Sequence, residues 1–252
     1  MKCAALLDPV AALVAEAGAA AMVHYGVARA EAKADGSPVT AADLAAHEVL
    51  LAGLPGILDV PVLSEESAAV AYAERHAWQR YWLVDPIDGT KEFLKGNGEF
   101  TVNVALVVDG YPVLGVVGAP ALGCCYAGVV DEAGSSAWRV DAAGRGAIRA
   151  QRRVSGPLRV VASKSHRNQA LEDWLATLGE IDEQAVGSSL KFCLVAEGRA
   201  DHSPRLGRTM EWDTAAGQAV AEAAGARVTD FAGQRLRYNK PDLANPDFRV
   251  DA

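Results

Sequence analysis

The stretch Trp82-Leu83-Val84-Asp85-Pro86-Ile87-Asp88-Gly89-Thr90 decides the reading of this chain. An apolar strand expected over 81–84 runs into two aspartates, then into a Gly-Thr pair able to open a helix. Pro86 disfavours helix at the residue before it, so the aspartates are expected to leave the strand in a fixed loop. Two carboxylates with the Ile87 carbonyl between them suit a hard cation such as Mg²⁺. Amides of Gly89 and Thr90 at a helix start would favour an anionic group such as phosphate. A plainer reading is also open at this point: Asp88 as a helix cap and Asp85 in a turn.

Two further acidic spots bear on that choice. Leu63-Ser64-Glu65-Glu66 ends a strand expected over 60–63, where by itself the Glu pair fits a solvated strand end. Glu211-Trp212-Asp213-Thr214 precedes an Ala-rich helix expected over 214–224, and Asp213 reads as the N-cap of that helix. Together the three spots point to a site for several metal ions and a phosphate. The whole chain agrees: 24 basic against 32 acidic residues give a net charge of -8, with no Lys/Arg-rich run. This argues against a general nucleic-acid surface. An acidic protein that handles an anionic substrate must neutralise the site locally, and metal ions do so.

Working outward, residues 9–25 have helical spacing and Asp35-Gly36-Ser37-Pro38 reads as a turn. Thr40 then caps a helix over 41–54. Strands over 100–108 and 111–117 flank Asp109-Gly110, a hairpin signal, and 124–130 and 136–140 extend the same sheet. The polar stretch 145–157 marks a boundary. Beyond it a strand (158–162), helices (168–178 and 188–197), a strand (200–203), a helix (214–224) and a strand (227–229) follow. The pattern predicts an N-terminal α+β domain over 1–152, carrying most of the acids, and a C-terminal α/β domain over 153–252. Cys3, Cys124, Cys125 and Cys193 show no CxxC spacing and no partner His, which argues against zinc; Cys124 and Cys125, in an apolar strand-like run, are expected in the core, and a reducing cytoplasm fits. The first seven residues are too short for a signal peptide. Residues 10–23 are interrupted by Glu16 and Gly18, so no run is expected to reach membrane-spanning length.

On these motifs the chain resembles the inositol monophosphatase superfamily. Leu63-Ser-Glu-Glu66, Asp85-Pro-Ile-Asp-Gly-Thr90 and Trp212-Asp-Thr-Ala-Ala-Gly217 match its three signatures. Thr90-Lys-Glu-Phe93, Asn97-Gly-Glu-Phe-Thr-Val-Asn103, Ser163-Lys-Ser-His166 and Gly187-Ser-Ser-Leu-Lys-Phe-Cys193 resemble its bisphosphate-nucleotidase branch. The resemblance implies an α/β layered αβαβα sandwich. It also implies two or three Mg²⁺ ions, with Glu65, Asp85, the Ile87 carbonyl, Asp88 and Asp213 as ligands; Glu66 is the alternative to Glu65. Asp43, Glu65 and Thr90 would be catalytic, grouped around an attacking water. Asp43 read without the resemblance is a first-turn helix acid. Asp88, Gly89, Thr90, His166, Ser188, Lys191, Arg205 and Asp213 would bind the substrate.

The implied activity is conversion of adenosine 3′,5′-bisphosphate to AMP and phosphate, recycling a by-product of sulfate assimilation. An inositol monophosphatase-like enzyme of broader specificity is the alternative enzyme, and a regulatory binding protein retaining the fold is a third reading. Ser188 also reads as a helix cap, Lys191 as a solvated side chain and Arg205 as an ion-pair partner. The expected partner is a small nucleotide bisphosphate rather than a nucleic acid. A monomer or homodimer in the cytoplasm is implied, with peripheral inner-membrane association left open.

Overall fold

The computed structural model describes residues 3–28, 31–32, 38–68, 70–132, 134–165 and 167–252. The turn expected at 35–38 lies outside the described residues except for Pro38, and so does His166. Strands β1 (Glu31–Ala32) and β2 (Pro38–Val39) form a short antiparallel ladder. A larger, seven-stranded sheet then runs in chain order. Its strands are β3 (Val62–Ser64), β4 (Arg80–Asp88), β5 (Thr101–Val108), β6 (Tyr111–Ala119), β7 (Cys124–Asp131), β8 (Gly134–Asp141) and β9 (Gly144–Ala147). β3 and β4 are parallel and the remaining neighbours antiparallel. The expected hairpin is present, with Asp109 and Gly110 at φ 50° and 80° as a two-residue turn requires.

The second sheet has five strands: β10 (Leu158–Ser163), β11 (Ile181–Val186), β12 (His202–Arg205), β13 (Arg227–Asp230) and β14 (Phe248–Asp251). Their order is β11-β10-β12-β14-β13, parallel as far as β12 and antiparallel beyond it. Helices α1 (Leu7–Met22) and α2 (Ala41–Ile57) cover one face of the first sheet. Short helices α3 (Tyr72–Arg75) and α4 (Thr90–Lys95) follow strand ends. Helix α5 (Gln169–Ala176) packs on the outer face of the second sheet. Helices α6 (Leu190–Ala196) and α7 (Ala215–Ala223) fill the space between the sheets. The five layers are the expected αβαβα sandwich.

Strand alternation assigns the cores. On β4, Trp82 and Val84 face α1 and α2, whereas Tyr81 and Leu83 face α6 and α7. Both faces of this sheet are covered, so β5 reads as a nearly unbroken apolar run. Helix α7 lies close enough that a Cβ on Gly115 would stand 2.3 Å from the Ala216 carbonyl oxygen, and one on Gly128 would stand 2.7 Å from the Val220 Cα. Glycine at these two sheet positions is what admits the helix. Residues 1–152 supply the first sheet and 153–252 the second, but α6 and α7 join both sheets in one core.

Several expectations need correction. The aspartates do not leave the strand at Asp85: β4 continues to Asp88, with its register against β5 shifting between Asp85 and Asp88. Strands β1, β2, β9, β11 and β14 carry no strand signal in the sequence reading; Pro38, expected in a turn, belongs to β2, and β9 occupies the start of the expected boundary stretch. Cys124 and Cys125 are half-buried on β7 rather than deep in the core, while Cys3 and Cys193 are buried; none of the four forms a disulfide. Among the described residues, one helical stretch, Ala4–Met22, is long and apolar enough to cross a membrane by length and composition. Glu16 and Gly18 do not interrupt it as expected. Its Leu7, Val10, Val14, Ala17 and Ala21 are buried instead against α2, β5, β6 and β7.

Candidate active site

The parallel pairing of β3 with β4 builds the first part of the site. Ser64 stands opposite Val84, so Glu65, just past the end of β3, comes beside Asp85, where β4 runs on into its shift of register against β5. Asp213 arrives from the other half, on the turn Glu211–Asp213 ahead of α7. Carboxylate oxygens of Glu65, Asp85 and Asp213 lie within 4.8 Å of one another. Asp85 is buried, and its Oδ1 has no hydrogen-bond partner. Burial, then the neighbouring Glu65, Asp88, Asp213 and Asp43, push its pKa well above the usual carboxylate range. Asp213 is pushed up to about 8 by burial and by Asp88, against the pull of the Met210 N–H and Arg205. It is not the N-cap of α7. Thr214 holds that place, and Asp213 Oδ2 accepts the Met210 N–H at 2.8 Å. Neighbouring Glu211 is structural: it is buried and accepts from the Asn239 and Lys240 amides and from Lys240 Nζ.

Asp88 stands beside this group, close enough to act on the charges of Asp85 and Asp213 but outside the three converging acids, and is held from both halves. Its Oδ2 lies 2.9 Å from Ser189 Oγ and 3.5 Å from Asn103 Nδ2. Burial raises its pKa, opposed first by Lys191 and then by Ser189 and Asn103. Ser189 and Asn103 escaped sequence reasoning. Both lie in motifs that carry the family resemblance, but their partner is remote in sequence. Gly89 follows at φ 92°, a left-handed conformation that glycine adopts without strain, and caps α4.

The proton-handling side of the site comes from α2. Thr40 and Asp43 form a capping box in which Asp43 Oδ2 accepts both the Thr40 N–H and its hydroxyl at 2.7 Å. That fixes the buried carboxylate with Oδ1 3.4 Å from Thr90 Oγ1, which is also 3.4 Å from the Ile87 carbonyl. The helix-electrostatic reading of Asp43 and its placement beside Thr90 are therefore both true.

Across the cavity stand residues of the second half. Ser188 adopts φ 50° and only approaches the Leu190 N–H, at 3.5 Å, so it is a poor helix cap. Lys191 is not a freely solvated side chain. It is half-buried, and its Nζ donates to the Ser188 carbonyl at 2.6 Å. Burial pushes its pKa down to about 8, although Asp88 pulls the other way. Arg205 donates to the Arg208 carbonyl at 2.9 Å and leaves a buried Nε without a partner. Among the described residues it has no carboxylate at ion-pair distance. Glu65, Asp85, Asp88, Thr90, Lys191 and Arg205 line one cavity of about 340 Å³. Glu65, Arg205 and Asp213 also border an adjoining hollow of about 810 Å³.

The donor set fits hard divalent cations. All the converging side chains offer oxygen, and a buried carboxylate oxygen without a donor calls for a positive charge. Glu65, not Glu66, belongs to the converging group.

Residues 5–250 match the inositol monophosphatase family, and the chain belongs to that family. It is 50% identical over 250 residues to the 3′(2′),5′-bisphosphate nucleotidase CysQ of Escherichia coli strain K12, covering 97% of this chain and 99% of that protein. The crystal structure of CysQ from Bacteroides thetaiotaomicron is 40% identical, with a TM-score of 0.85 and 97% of each chain covered. Thermotoga maritima IMPase, 24% identical with a TM-score of 0.75 over 97% of this chain and 91% of that one, shares the fold.

Proposed function

We propose that this chain is a 3′(2′),5′-bisphosphate nucleotidase, a Mg²⁺-dependent phosphomonoester hydrolase that converts adenosine 3′,5′-bisphosphate to AMP and phosphate. One observation carries the reading: Asp85, with an unpartnered buried oxygen, shares a cavity with further acids and with the half-buried cations Lys191 and Arg205. A substrate with two phosphates matches a site with two such ends. The relatives named as bisphosphate nucleotidases support the choice of substrate.

Glu65, Asp85, the Ile87 carbonyl, Asp88 and Asp213 would hold the ions, which when bound neutralise phosphate oxygens and make a water nucleophilic at neutral pH. The protein's own groups do the rest. Gly89 and Thr90 present their amides to the phosphate that is removed. Asp43 Oδ1, 3.4 Å from the Thr90 hydroxyl, takes the hydroxyl proton as the Thr90 oxygen takes one from the attacking water, so the water's proton ends on the Asp43 side. Water oxygen bonds to phosphorus as the bond to the ribose oxygen breaks, and that oxygen takes up a proton from a solvent water. Lys191, Arg205 and Ser188 hold the remaining phosphate and nucleoside, and the family resemblance alone adds His166 as a substrate-binding residue. The site lies within one chain, so either a monomer or a homodimer serves.

The test is phosphate release from adenosine 3′,5′-bisphosphate with Mg²⁺, with EDTA, and in Asp88→Asn. Release that needs Mg²⁺ and is lost in the variant is expected. Robust release from inositol 1-phosphate with none from the bisphosphate would retain the metal site and discard the substrate assignment.

A further inference from the structure

Ser189 and Asn103 sit at the seam between the two halves, and neither has a role in the reading above. Both are buried, at 1% exposure each. Asn103 lies in the middle of the first sheet, on β5, opposite Asp85 on β4. Its Nδ2 donates to Ser189 Oγ at 2.9 Å, across 86 residues of sequence. The Ser189 hydroxyl has one proton and two acceptors in reach: Asp88 Oδ2 at 2.9 Å and the Asp213 carbonyl at 2.8 Å. Once the hydroxyl oxygen accepts from Asn103, its proton must point at one of these two. The carboxylate is the stronger acceptor, because hydrogen bonds to ionised groups are about twice as strong as neutral ones.

The cost of this arrangement is visible. Asn103 Oδ1 is buried and has no partner. Leaving such a group unsatisfied costs about 1–3 kcal/mol. An apolar side chain of the same shape would avoid that cost and suit the face it shares with Ala105 and, across the ladder, Val117, both fully buried. Stability alone does not explain an asparagine here; what its amide does for Ser189 does.

We propose that Ser189, oriented by Asn103, is a positioning residue. It fixes one oxygen of Asp88, so that the other is presented to the divalent ion, and it does so only when the two sheets are docked. The inference rests on the metal-site reading above. Ser189 touches neither substrate nor ion; it acts through Asp88. Outer partners that orient a ligand are worth 10- to 100-fold in metal affinity or activity.

The experiment uses the full chain and two variants, Ser189→Ala and Asn103→Leu. Mg²⁺ binding is measured by calorimetry without substrate, beside a melting curve and the Mg²⁺ dependence of phosphate release. Mg²⁺ binding about ten-fold weaker is expected in both variants. Excess Mg²⁺ should restore the rate, with KM for the bisphosphate within two-fold of the unaltered protein. Asn103→Leu should melt no lower than the unaltered protein, because it removes the unpaired Oδ1. A purely structural role predicts the reverse pattern: lower melting and unchanged Mg²⁺ affinity. Mg²⁺ affinity within two-fold of the unaltered chain in the variants would overturn the proposal. An unaltered chain that binds no Mg²⁺ would instead remove the metal reading, and this inference with it.

Discussion

The two walls of the cavity treat charge in opposite ways. On the first wall, Asp85 is buried with an oxygen that no donor meets, and Glu65 and Asp213 crowd it. On the second wall, Lys191 and Arg205 lean on backbone carbonyls, which tether them without neutralising them. One wall is incomplete without cations and the other without an anion. Chemistry should therefore fail when the first wall is altered, and substrate choice should fail when the second is.

Asp85→Asn should show the largest effect. Metal-ion stabilisation of transition-state charge is worth several kcal/mol, so kcat should fall by about a thousand-fold or more. Steady-state phosphate release at saturating Mg²⁺ checks this, and a loss under ten-fold would erase the contrast between the walls.

The next effect is on stability. A carboxyl whose folded pKa is raised keeps its proton in the folded state where the unfolded chain has already released it. Stability then falls as pH rises through that window, which for Asp213 runs from about 4 to about 8. Metal-stripped protein should therefore melt lower at pH 8 than at pH 5. Mg²⁺ at a hundred-fold excess over its Kd should add about 2.7 kcal/mol. Melting curves with EDTA and with Mg²⁺ at both pH values measure this, and no pH effect in EDTA would mean the acids are not mutually strained.

The smallest effect belongs to the second wall. Arg205→Leu removes hydrogen bonds to a charged group, each worth about 1.5–3 kcal/mol, so KM for adenosine 3′,5′-bisphosphate should rise about ten-fold or more. Hydrolysis of 3′-AMP, which lacks the second phosphate, should change by less than about three-fold on the same scale. Equal losses on both substrates would blur the two walls into one.

What could be read from the sequence follows the same division. Glu65, Asp85, Asp88 and Asp213 lie in short contiguous motifs next to apolar strands or an Ala-rich helix, so local pattern reaches them. Ser189 and Asn103 matter only through a contact across 86 residues, which no local pattern encodes. Strands behaved similarly. β5 and β6 announce themselves by apolar runs and a Asp-Gly turn. β11 is Ile-Asp-Glu-Gln-Ala-Val with four exposed positions, an edge strand whose composition suits a loop equally well. β9 is Gly-Arg-Gly-Ala, exposed throughout, and exists because β8 offers it a ladder. β14 is four residues long and owes its place to β12 and β13 on either side. Asp85 was expected to leave its strand because Pro86 follows it; pairing of Asp88 with Thr101 on β5 carries the strand past the proline.

Helix α1 has a consequence for how the chain comes off the ribosome. Its apolar face is covered by α2 and by β5, β6 and β7, the last of which ends at Asp131. At a synthesis rate of 5–20 residues per second, the helix waits roughly 5–20 s for that cover to be made. During that interval it is an uncovered apolar segment of a growing chain, open to whatever factors scan nascent proteins for such segments.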